Sequence, residues 1–352
     1  MAGGTDILFE RRGAAGVVIL NRPHALNAVT HDMVRLLAAK LADWASDSAV
    51  TRVIITAAGG RAFSAGGDLR ALYELGRAGR YEEALGFWRD EYRLNAMIKR
   101  YRKPYVALID GVVMGGGVGI SVHGSHRVVG DGFAFAMPEV GIGFFPDVGA
   151  TWFLPRLPGE LGTYCGLTGE RFDAADAVGC GIATYRVRSR MFPDLIDALC
   201  SAVPTEALLG AFATPAGAGA LMGRSAPIDR FFSRDRVEDV LAELDAAAAA
   251  GGADAAFAAA TAASIRVKSP LSLKVTLAQL RRGRGLDFAE CMRTEFRVVS
   301  RVVRGHDFYE GVRSVIIDKD QTPHWQPSSL AAVSDADVDR HFAPIPDELD
   351  LT

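Results

Sequence analysis

The first half of the chain alternates short apolar runs with longer segments whose apolar residues recur every three or four positions. The β-branched run from Gly16 to Leu20 predicts a strand, and the next segment, from an N-cap at Thr30 to Ser46, predicts a helix. We expect one face of this helix to be buried. That face consists of Met33, Leu36, Leu37, Leu41 and Trp44.

The same order of strand, turn and helix recurs further along the chain. Val53 to Thr56 predicts a second strand, which leads to the segment Ser64-Ala65-Gly66-Gly67-Asp68. Tyr105 to Ile109 predicts a third strand, which leads to the glycine-rich turn Met114 to Gly119. Strands that alternate with helices at this spacing favour a mostly parallel sheet covered by helices, so the predicted fold class is α/β.

The composition changes near Asp194, beyond which alanine-rich stretches surround paired glycines. Alanine favours helix and glycine interrupts it, so we expect a core domain over residues 1–200 and a mainly helical region over 201–352. Inside that region we expect a flexible insert at 245–256 and two helices, near Leu271 to Leu280 and Asp287 to Val303.

Composition and charge narrow the classes of function. The chain has 352 residues, 49% hydrophobic and 23% charged, and its net charge of −3 offers no general attraction to nucleic acid or to a membrane surface. We find no run of about eighteen apolar residues, and Met1 to Asp6 lacks a basic region followed by an apolar core, so we expect a cytoplasmic protein. The wide spacing of the cysteines predicts reduced thiols. These are Cys165, Cys180, Cys200 and Cys291.

Two glycine turns are candidates for binding a developing negative charge. The N–H groups of Gly67 and Gly116 are predicted to converge on one oxygen and to stabilise it as an oxyanion. One such donor is typically worth about 3 kcal/mol of activation barrier. The alternative for Gly66-Gly67-Asp68 is a helix-start turn capped by Asp68, and the residues leave both interpretations open.

The glycines do not form a nucleotide-binding motif. Counting from Gly115 and Gly117, the third glycine of G-x-G-x-x-G falls at Ile120, and counting from Gly117 and Gly119 it falls at Val122. The chain also lacks a P-loop motif and a G-x-S-x-G motif, which argues against a nucleotide triphosphatase and a serine hydrolase.

Several charged and histidine side chains are candidates for chemistry. Glu139 and Asp147 lie on a Gly/Pro-rich loop, where carboxylates suit acid–base work. Glu91 lies in a helical segment, for which a solvated face is the ordinary explanation. His123 and His126 lack a nearby cysteine or acidic partner, so polar contacts are favoured and no metal is expected. Four basic residues are most simply surface charges: Arg22, Arg61, Lys103 and Lys268.

Four motifs follow one another in a recognisable order: Asn21 to Ala28, Phe63 to Leu69, Lys103 to Gly111 and Met114 to Gly119. Their order and spacing resemble the crotonase (enoyl-CoA hydratase/isomerase) superfamily. The resemblance covers nearly the whole chain, least clearly over 205–260, and is sharpest to an acyl-CoA thioester hydrolase branch. That sharper likeness is carried by Arg89 to Asn95, Ser121 to Gly124, Phe135 to Gly149, Phe153 to Leu157 and Phe308 to Asp320.

The resemblance implies a crotonase-like spiral of ββα units and a coenzyme A (CoA) thioester as substrate, with no metal and no cofactor beyond that CoA. By position, Gly67 and Gly116 supply the oxyanion hole, Glu139 is the catalytic carboxylate, and Asp147 assists it. The residues implied at the acyl group are Glu91, Gly116, Glu139 and Asp147. Those implied along the CoA path are His24, Ala25, Leu26, Ala65, Gly66, Gly67, Asp68 and Leu69. Relatives often form trimers, and a homo-oligomer stays open for this chain.

Position 119 bears on the reaction. Enoyl-CoA hydratases of the superfamily carry a second catalytic glutamate there, whereas this chain has Gly119. Hydration needs two carboxylates, whereas thioester hydrolysis needs an oxyanion hole and only one carboxylate. The resemblance therefore implies hydrolysis of a short, branched 3-hydroxyacyl-CoA, with 3-hydroxyisobutyryl-CoA of valine breakdown as the expected substrate. Two alternatives stay open: another crotonase reaction such as double-bond isomerisation or hydration, and a non-catalytic acyl-CoA-binding protein.

Overall fold

A computed structural model of the chain describes residues 6–351. Its strands are β1 (Ile7–Arg12), β2 (Ala15–Leu20), β3 (Arg52–Ala57), β4 (Ala62–Ser64), β5 (Tyr105–Ile109), β6 (Val112–Val113), β7 (His126–Val129), β8 (Ala134–Phe135) and β9 (Tyr185–Arg186). The first eight helices are α1 (His31–Ser46), α2 (Leu69–Arg77), α3 (Tyr81–Lys99), α4 (Gly116–Gly119), α5 (Ala150–Phe153), α6 (Leu161–Thr168), α7 (Ala174–Gly179) and α8 (Phe192–Leu199). The others are α9 (Thr205–Phe212), α10 (Ser225–Phe232), α11 (Val237–Ala250), α12 (Ala255–Arg266), α13 (Pro270–Gly283), α14 (Phe288–Val302), α15 (Asp307–Val312) and α16 (Asp335–Phe342).

The strands form two sheets that share a repeating order. The six-stranded sheet runs β1-β2-β3-β5-β7-β9, and the three-stranded sheet runs β4-β6-β8. Strand β1 is antiparallel to β2, and the remaining neighbours are parallel. Each pair of consecutive strands from β3 to β8 contributes one strand to each sheet. This alternation confirms the predicted α/β class and the spiral of ββα units.

Helix α1 shows how local sequence builds an element. The hydroxyl of Thr30 accepts the N–H of Met33 at 3.2 Å, which confirms the predicted N-cap. The buried face includes Val34 in addition to four of the five predicted residues. Leu36 is 50% exposed, so its predicted burial is wrong. It lies about 100° around the helix from Leu37, outside the stripe that faces the core.

The chain forms two compact units, and each unit consists of three separate segments of the chain. The first consists of residues 6–68, 90–136 and 171–223 and holds every strand among the described residues. Its core joins Val17, Ile54 and Val106 of the large sheet to Leu195 of α8 and Leu209 of α9. Apolar side chains from parallel strands are buried here by helices, as the sequence pattern requires.

The second unit consists of residues 69–89, 137–170 and 224–351 and is helical throughout its regular elements. Helices α13 and α14 confirm the two predicted near residues 271–280 and 287–303. The predicted insert at 245–256 is shorter than expected, because α11 continues to Ala250 and α12 begins at Ala255. The residues beyond 201 are mainly helical, and the domain boundary at residue 200 stays a prediction.

Three of the four cysteines are buried and Cys200 is partly exposed, and all are free thiols, as predicted. None of the helices described within residues 6–351 is long and apolar enough to cross a bilayer. The expectation drawn from Met1 to Asp6 rests mostly on residues outside the described range.

Candidate active site

The backbone at Gly67 is held by a single bridge to Val29. The N–H of Val29 donates to the carbonyl of Gly66 at 2.8 Å, and the N–H of Asp68 donates to the carbonyl of Val29 at 3.0 Å. In this parallel bridge, Val29 bonds to the carbonyl of Gly66 and to the N–H of Asp68, the residues on either side of Gly67. The N–H of Gly67 itself therefore points away from Val29. That N–H donates to no protein acceptor among residues 6–351.

The second predicted donor, Gly116, lies in a tight turn at the start of α4. The N–H of Gly117 donates to the carbonyl of Met114 at 2.9 Å, and Gly115 between them has φ 45° and ψ −125°. These angles are those of the first central residue of a type II′ turn, which favours glycine. As the first helical residue, Gly116 has no acceptor for its N–H inside α4, and none is present elsewhere in the described chain.

The two glycine segments lie against each other. A Cβ atom built on Gly116 would lie 3.4 Å from the backbone nitrogen of Gly67, and one built on Gly66 would lie 3.8 Å from the nitrogen of Gly116. Two unpaired backbone N–H groups at neighbouring positions suit one anionic oxygen. The helix-start interpretation is also correct in part, because α2 begins at Leu69, directly after Asp68. The role of the two amides in catalysis stays a prediction.

Glu91 borders the same turn. It lies on α3, is 2% exposed, and places Oε1 2.5 Å from the position that a Cβ atom of Gly116 would occupy. The expectation of a solvated helix face for Glu91 is therefore wrong. A carboxylate is buried here beside a backbone turn that any side chain would obstruct.

Asn95 is a buried polar residue that the sequence reasoning did not single out. It lies one helical turn after Glu91, on the same face of α3, and is fully buried. Neither its Oδ1 nor its Nδ2 has a hydrogen-bond partner among the described residues. The available signal was the spacing of four residues, which places Asn95 on the same side of α3 as Glu91.

Glu139 opens a short 3-10 turn, Glu139–Ile142, which Gly143 ends in the left-handed conformation at φ 68°. Its side chain is 6% exposed, and Oε2 is buried with no hydrogen-bond partner in the described chain. Burial, and then the charge of Asp147, raise the pKa of Glu139 well above the ordinary carboxyl value. A buried carboxyl beside a second acid has the protonation behaviour typical of catalytic groups.

Asp147 is 4% exposed and belongs to a cluster of three buried carboxyls. Its charge contributes to the raised pKa of Glu139 and to that of Glu295 on α14, which burial raises to about 8. The sequence reasoning paired Glu139 with Asp147 but missed Glu295. No local motif marks Glu295, since it lies on an amphipathic helix far along the chain.

The segments predicted along the CoA path meet in the first unit. Leu26 has φ 50° and its carbonyl accepts the N–H of Ala65 at 3.0 Å, so residues 24–26 run beside residues 65–68. Buried Asn27 stabilises this turn by donating to the carbonyls of Ala58 and Ala62 at 2.9 Å each. The structure thus places the two segments together, and their contact with CoA stays a prediction.

The remaining candidates take structural positions. Arg22 forms an ion pair with Asp68 at 3.2 Å, and the ammonium group of Lys103 donates to main-chain carbonyls. Both side chains therefore bond to the protein and are not simply solvated surface charges. His126 pairs with Glu206 at 3.4 Å. Across residues 6–351 the structure shows no cluster of three His, Cys, Asp or Glu residues suited to a metal, and the absence of a metal stays a prediction.

Comparison with known proteins identifies the class. The family profile described as enoyl-CoA hydratase/isomerase matches residues 15–342. The chain therefore belongs to the enoyl-CoA hydratase/isomerase, or crotonase, family, as its motifs predict.

Relatives resolve the class further. A 3-hydroxyisobutyryl-CoA hydrolase of Danio rerio, named as mitochondrial, is 45% identical over 358 residues, spanning 99% of this chain and 92% of the relative. The human protein of the same name is 40% identical over 347 residues, spanning 96% of this chain and 88% of the relative.

Two solved structures share the fold over almost the full length. A protein of Mycobacterium thermoresistibile titled carnitinyl-CoA dehydratase superposes with a TM-score of 0.93 at 42% identity, covering 99% of both chains. A protein of Rhodobacter sphaeroides titled enoyl-CoA hydratase superposes with a TM-score of 0.90 at 39% identity, covering 98% of this chain and 100% of that one. The names of the relatives thus agree on acyl-CoA chemistry and differ on the reaction.

Proposed function

We propose that this protein is an acyl-CoA thioester hydrolase that converts 3-hydroxyisobutyryl-CoA to 3-hydroxyisobutyrate and CoA, as in valine breakdown. Support for the substrate comes from the curated relatives at 40–45% identity. The observation that carries hydrolysis over hydration is Gly119, because the superfamily's hydratases place a second carboxylate at that position. The candidate catalytic carboxylate that the chain does have is Glu139, whose pKa is raised well above the ordinary carboxyl value.

In the proposed reaction, the thioester oxygen accepts hydrogen bonds from the N–H groups of Gly67 and Gly116. Both donors are otherwise unpaired in the described chain, so binding an oxyanion displaces no protein bond. The two N–H groups stabilise the tetrahedral intermediate and release it when the carbon–sulfur bond breaks.

Glu139 supplies the base or nucleophile. As a nucleophile, its ionised oxygen attacks the thioester carbon, CoA leaves as a thiolate, and water cleaves the resulting mixed anhydride. As a general base, it takes a proton from water while the water oxygen attacks the same carbon. Both routes consume one water and yield one acid and one CoA. Both require Glu139 to be ionised.

Asp147 and Glu91 would hydrogen-bond the substrate's 3-hydroxyl. A site built to bind a hydroxyl rejects an analogue without it, because its buried polar groups are then left without that partner. Their chemistry supports this role, since a carboxylate accepts a hydrogen bond from a hydroxyl, and both side chains are buried away from bulk water.

The test is thiol release from purified protein supplied with a panel of acyl-CoA thioesters. We expect rapid release from 3-hydroxyisobutyryl-CoA and slower release from isobutyryl-CoA. Loss of absorbance from crotonyl-CoA without thiol release would instead support hydration, the reaction named for one solved relative. Conversion of a 3-enoyl-CoA would support isomerisation, and tight binding without turnover would support a non-catalytic binding protein.

A cytoplasmic location also stays a prediction, because the curated relatives are named as mitochondrial. Fractionation of the source cells, followed by detection of this protein, decides between compartments. Size-exclusion chromatography with light scattering decides the oligomeric state.

A further inference from the structure

The backbone next to Asp147 is strained. Val148 has φ 53° and Gly149 has φ 94°, so two consecutive residues take left-handed conformations. For a β-branched residue such as Val148 this is unfavourable by roughly 1–3 kcal/mol, and it persists only where the surroundings impose it. Val148 is also fully buried. The surroundings that impose this backbone conformation on Val148 therefore also constrain the backbone at Asp147, the residue before it.

Glu295 imposes this conformation from one side. It lies on α14, is fully buried, and accepts the N–H of Gly149 through Oε2 and the N–H of Thr151 through Oε1, each at 2.8 Å. One carboxylate thus bridges the amide of Gly149, directly after the strained residue, and the amide of Thr151 in the first turn of α5. Within residues 6–351, no other acidic side chain accepts a hydrogen bond from these two amides.

Gln279 on α13 holds the other side. Its Nε2 donates to the carbonyl of Pro146 at 2.6 Å and to the hydroxyl of Thr151 at 2.7 Å. Asp147 is therefore held between two anchored neighbours, the carbonyl before it and the amide two residues after it. Both anchors come from buried side chains on helices, which move less than loop residues do.

The two amides are bonded to two different oxygens, and a carboxyl group is the side chain that supplies two acceptor oxygens. Burial raises the pKa of this carboxyl group to about 8. Both oxygens are bonded to the backbone that follows Asp147, so Asp147 is the functional group that these bonds position.

We propose that Glu295 is a positioning residue that, with Gln279, fixes the Asp147 carboxylate where it binds the 3-hydroxyl of the substrate. Preference for 3-hydroxyacyl-CoA over the same acyl-CoA without the hydroxyl then depends on Glu295, although Glu295 does not touch the substrate. This inference rests on the proposed function and extends it to the residue that sets its specificity.

The experiment compares kcat/KM for 3-hydroxyisobutyryl-CoA with that for isobutyryl-CoA. In Glu295→Gln one oxygen becomes an NH2 group, so only one of the two amides keeps its acceptor. We expect the preference for the hydroxylated substrate to fall roughly tenfold or more, while turnover of isobutyryl-CoA changes less. Glu160→Gln is the matched control, because Glu160 is another buried carboxylate, paired with Arg281 and Arg284, and should leave the preference unchanged.

A double variant separates positioning from general damage. If Glu295 acts through Asp147, adding Glu295→Gln to Asp147→Asn lowers the preference no further. Equal loss on both substrates, an additive double variant, or an unchanged preference in Glu295→Gln each overturns the inference. Should Glu295→Gln fail to fold, Gln279→Met is measured in its place and is expected to lower the preference in the same direction.

The wild-type measurement keeps the two proposals apart. A wild-type protein that hydrolyses 3-hydroxyisobutyryl-CoA with a clear preference, together with an unaffected Glu295→Gln variant, overturns only the role of Glu295. A wild-type protein that releases no thiol from either substrate overturns the proposed function, and the inference with it.

Discussion

Gly116 and Glu91 are packed so closely that the turn has no room for a side chain. A Cβ atom on Gly116 would lie 2.5 Å from Oε1 of Glu91, well inside van der Waals contact. The carboxylate and the unpaired N–H of Gly116 therefore share one small space. Either the backbone or Glu91 must move if position 116 carries a methyl group.

We expect Gly116→Ala to lower kcat/KM for 3-hydroxyisobutyryl-CoA by roughly 10²-fold or more, because it displaces one oxyanion donor. Steady-state thiol release measures the effect. Gly210→Ala is the matched control, since a Cβ atom at Gly210 on α9 meets no atom within 4 Å. Activity of Gly116→Ala within threefold of the control would remove Gly116 from the oxyanion hole.

The Glu139→Gln variant tests the catalytic carboxylate. An amide neither attacks the thioester nor accepts a proton from water, so we expect kcat to fall by roughly 10³-fold or more with substrate affinity nearly kept. Single-turnover thiol release and titration calorimetry give the two quantities. Turnover within tenfold of wild type would contradict the assigned role.

The pH dependence of the reaction tests the coupling between Glu139 and Asp147. Because Glu139 reacts in its ionised form, kcat/KM should rise with pH through its pKa, which burial and Asp147 raise. Asp147→Asn removes the charge contribution, so the rising limb should move to lower pH. Profiles measured with isobutyryl-CoA avoid the separate loss of hydroxyl binding. An unmoved limb would show that the two groups are not coupled.

The pH dependence of stability tests the burial of Glu295. Its pKa is raised from an ordinary 4.5 to about 8, so between these values the folded protein holds a proton that the unfolded chain has lost. The free energy of unfolding should therefore fall as pH rises through this window, by up to roughly 1.4 kcal/mol per pH unit from this group.

Glu295→Gln cannot titrate, so the fall should be shallower in that variant. Urea denaturation at about pH 5 and about pH 9 compares the two proteins. Glu139 titrates in the same direction and remains in both, which leaves part of the slope in the variant. Parallel pH dependence in wild type and variant would mean that Glu295 has an ordinary pKa.

Local patterns predict the elements well where one helix or strand carries its own signal. Helix α1 begins directly after its predicted N-cap, Thr30. Helices α13 and α14 lie where the sequence predicts helices, near residues 271–280 and 287–303. The exposure of Leu36 was not predictable in this way, because the width of a buried stripe depends on what packs against it. The insert predicted at 245–256 is shorter for a different, local reason: its alanine run favours helix, and α11 continues to Ala250 before Gly251 and Gly252.

In the candidate site, too, the features that depend on neighbouring residues in the chain were predictable, and the features that depend on packing were not. Glycine turns, Glu139 and Asp147 are recognisable from neighbours in the chain, because turn chemistry and motif spacing are local. The burial of Glu91, the unsatisfied Asn95 and the bridge from Glu295 to Gly149 are not, because they join residues from distant segments.

The order of residues alone thus settles the ββα repeat, the family and the groups that could perform the chemistry. Folding decides which carboxyls leave water, how strongly they hold protons, and which side chain keeps Asp147 in place. Those properties come from burial and from distances between atoms that lie far apart along the chain, and such distances exist only after the helices and sheets have packed.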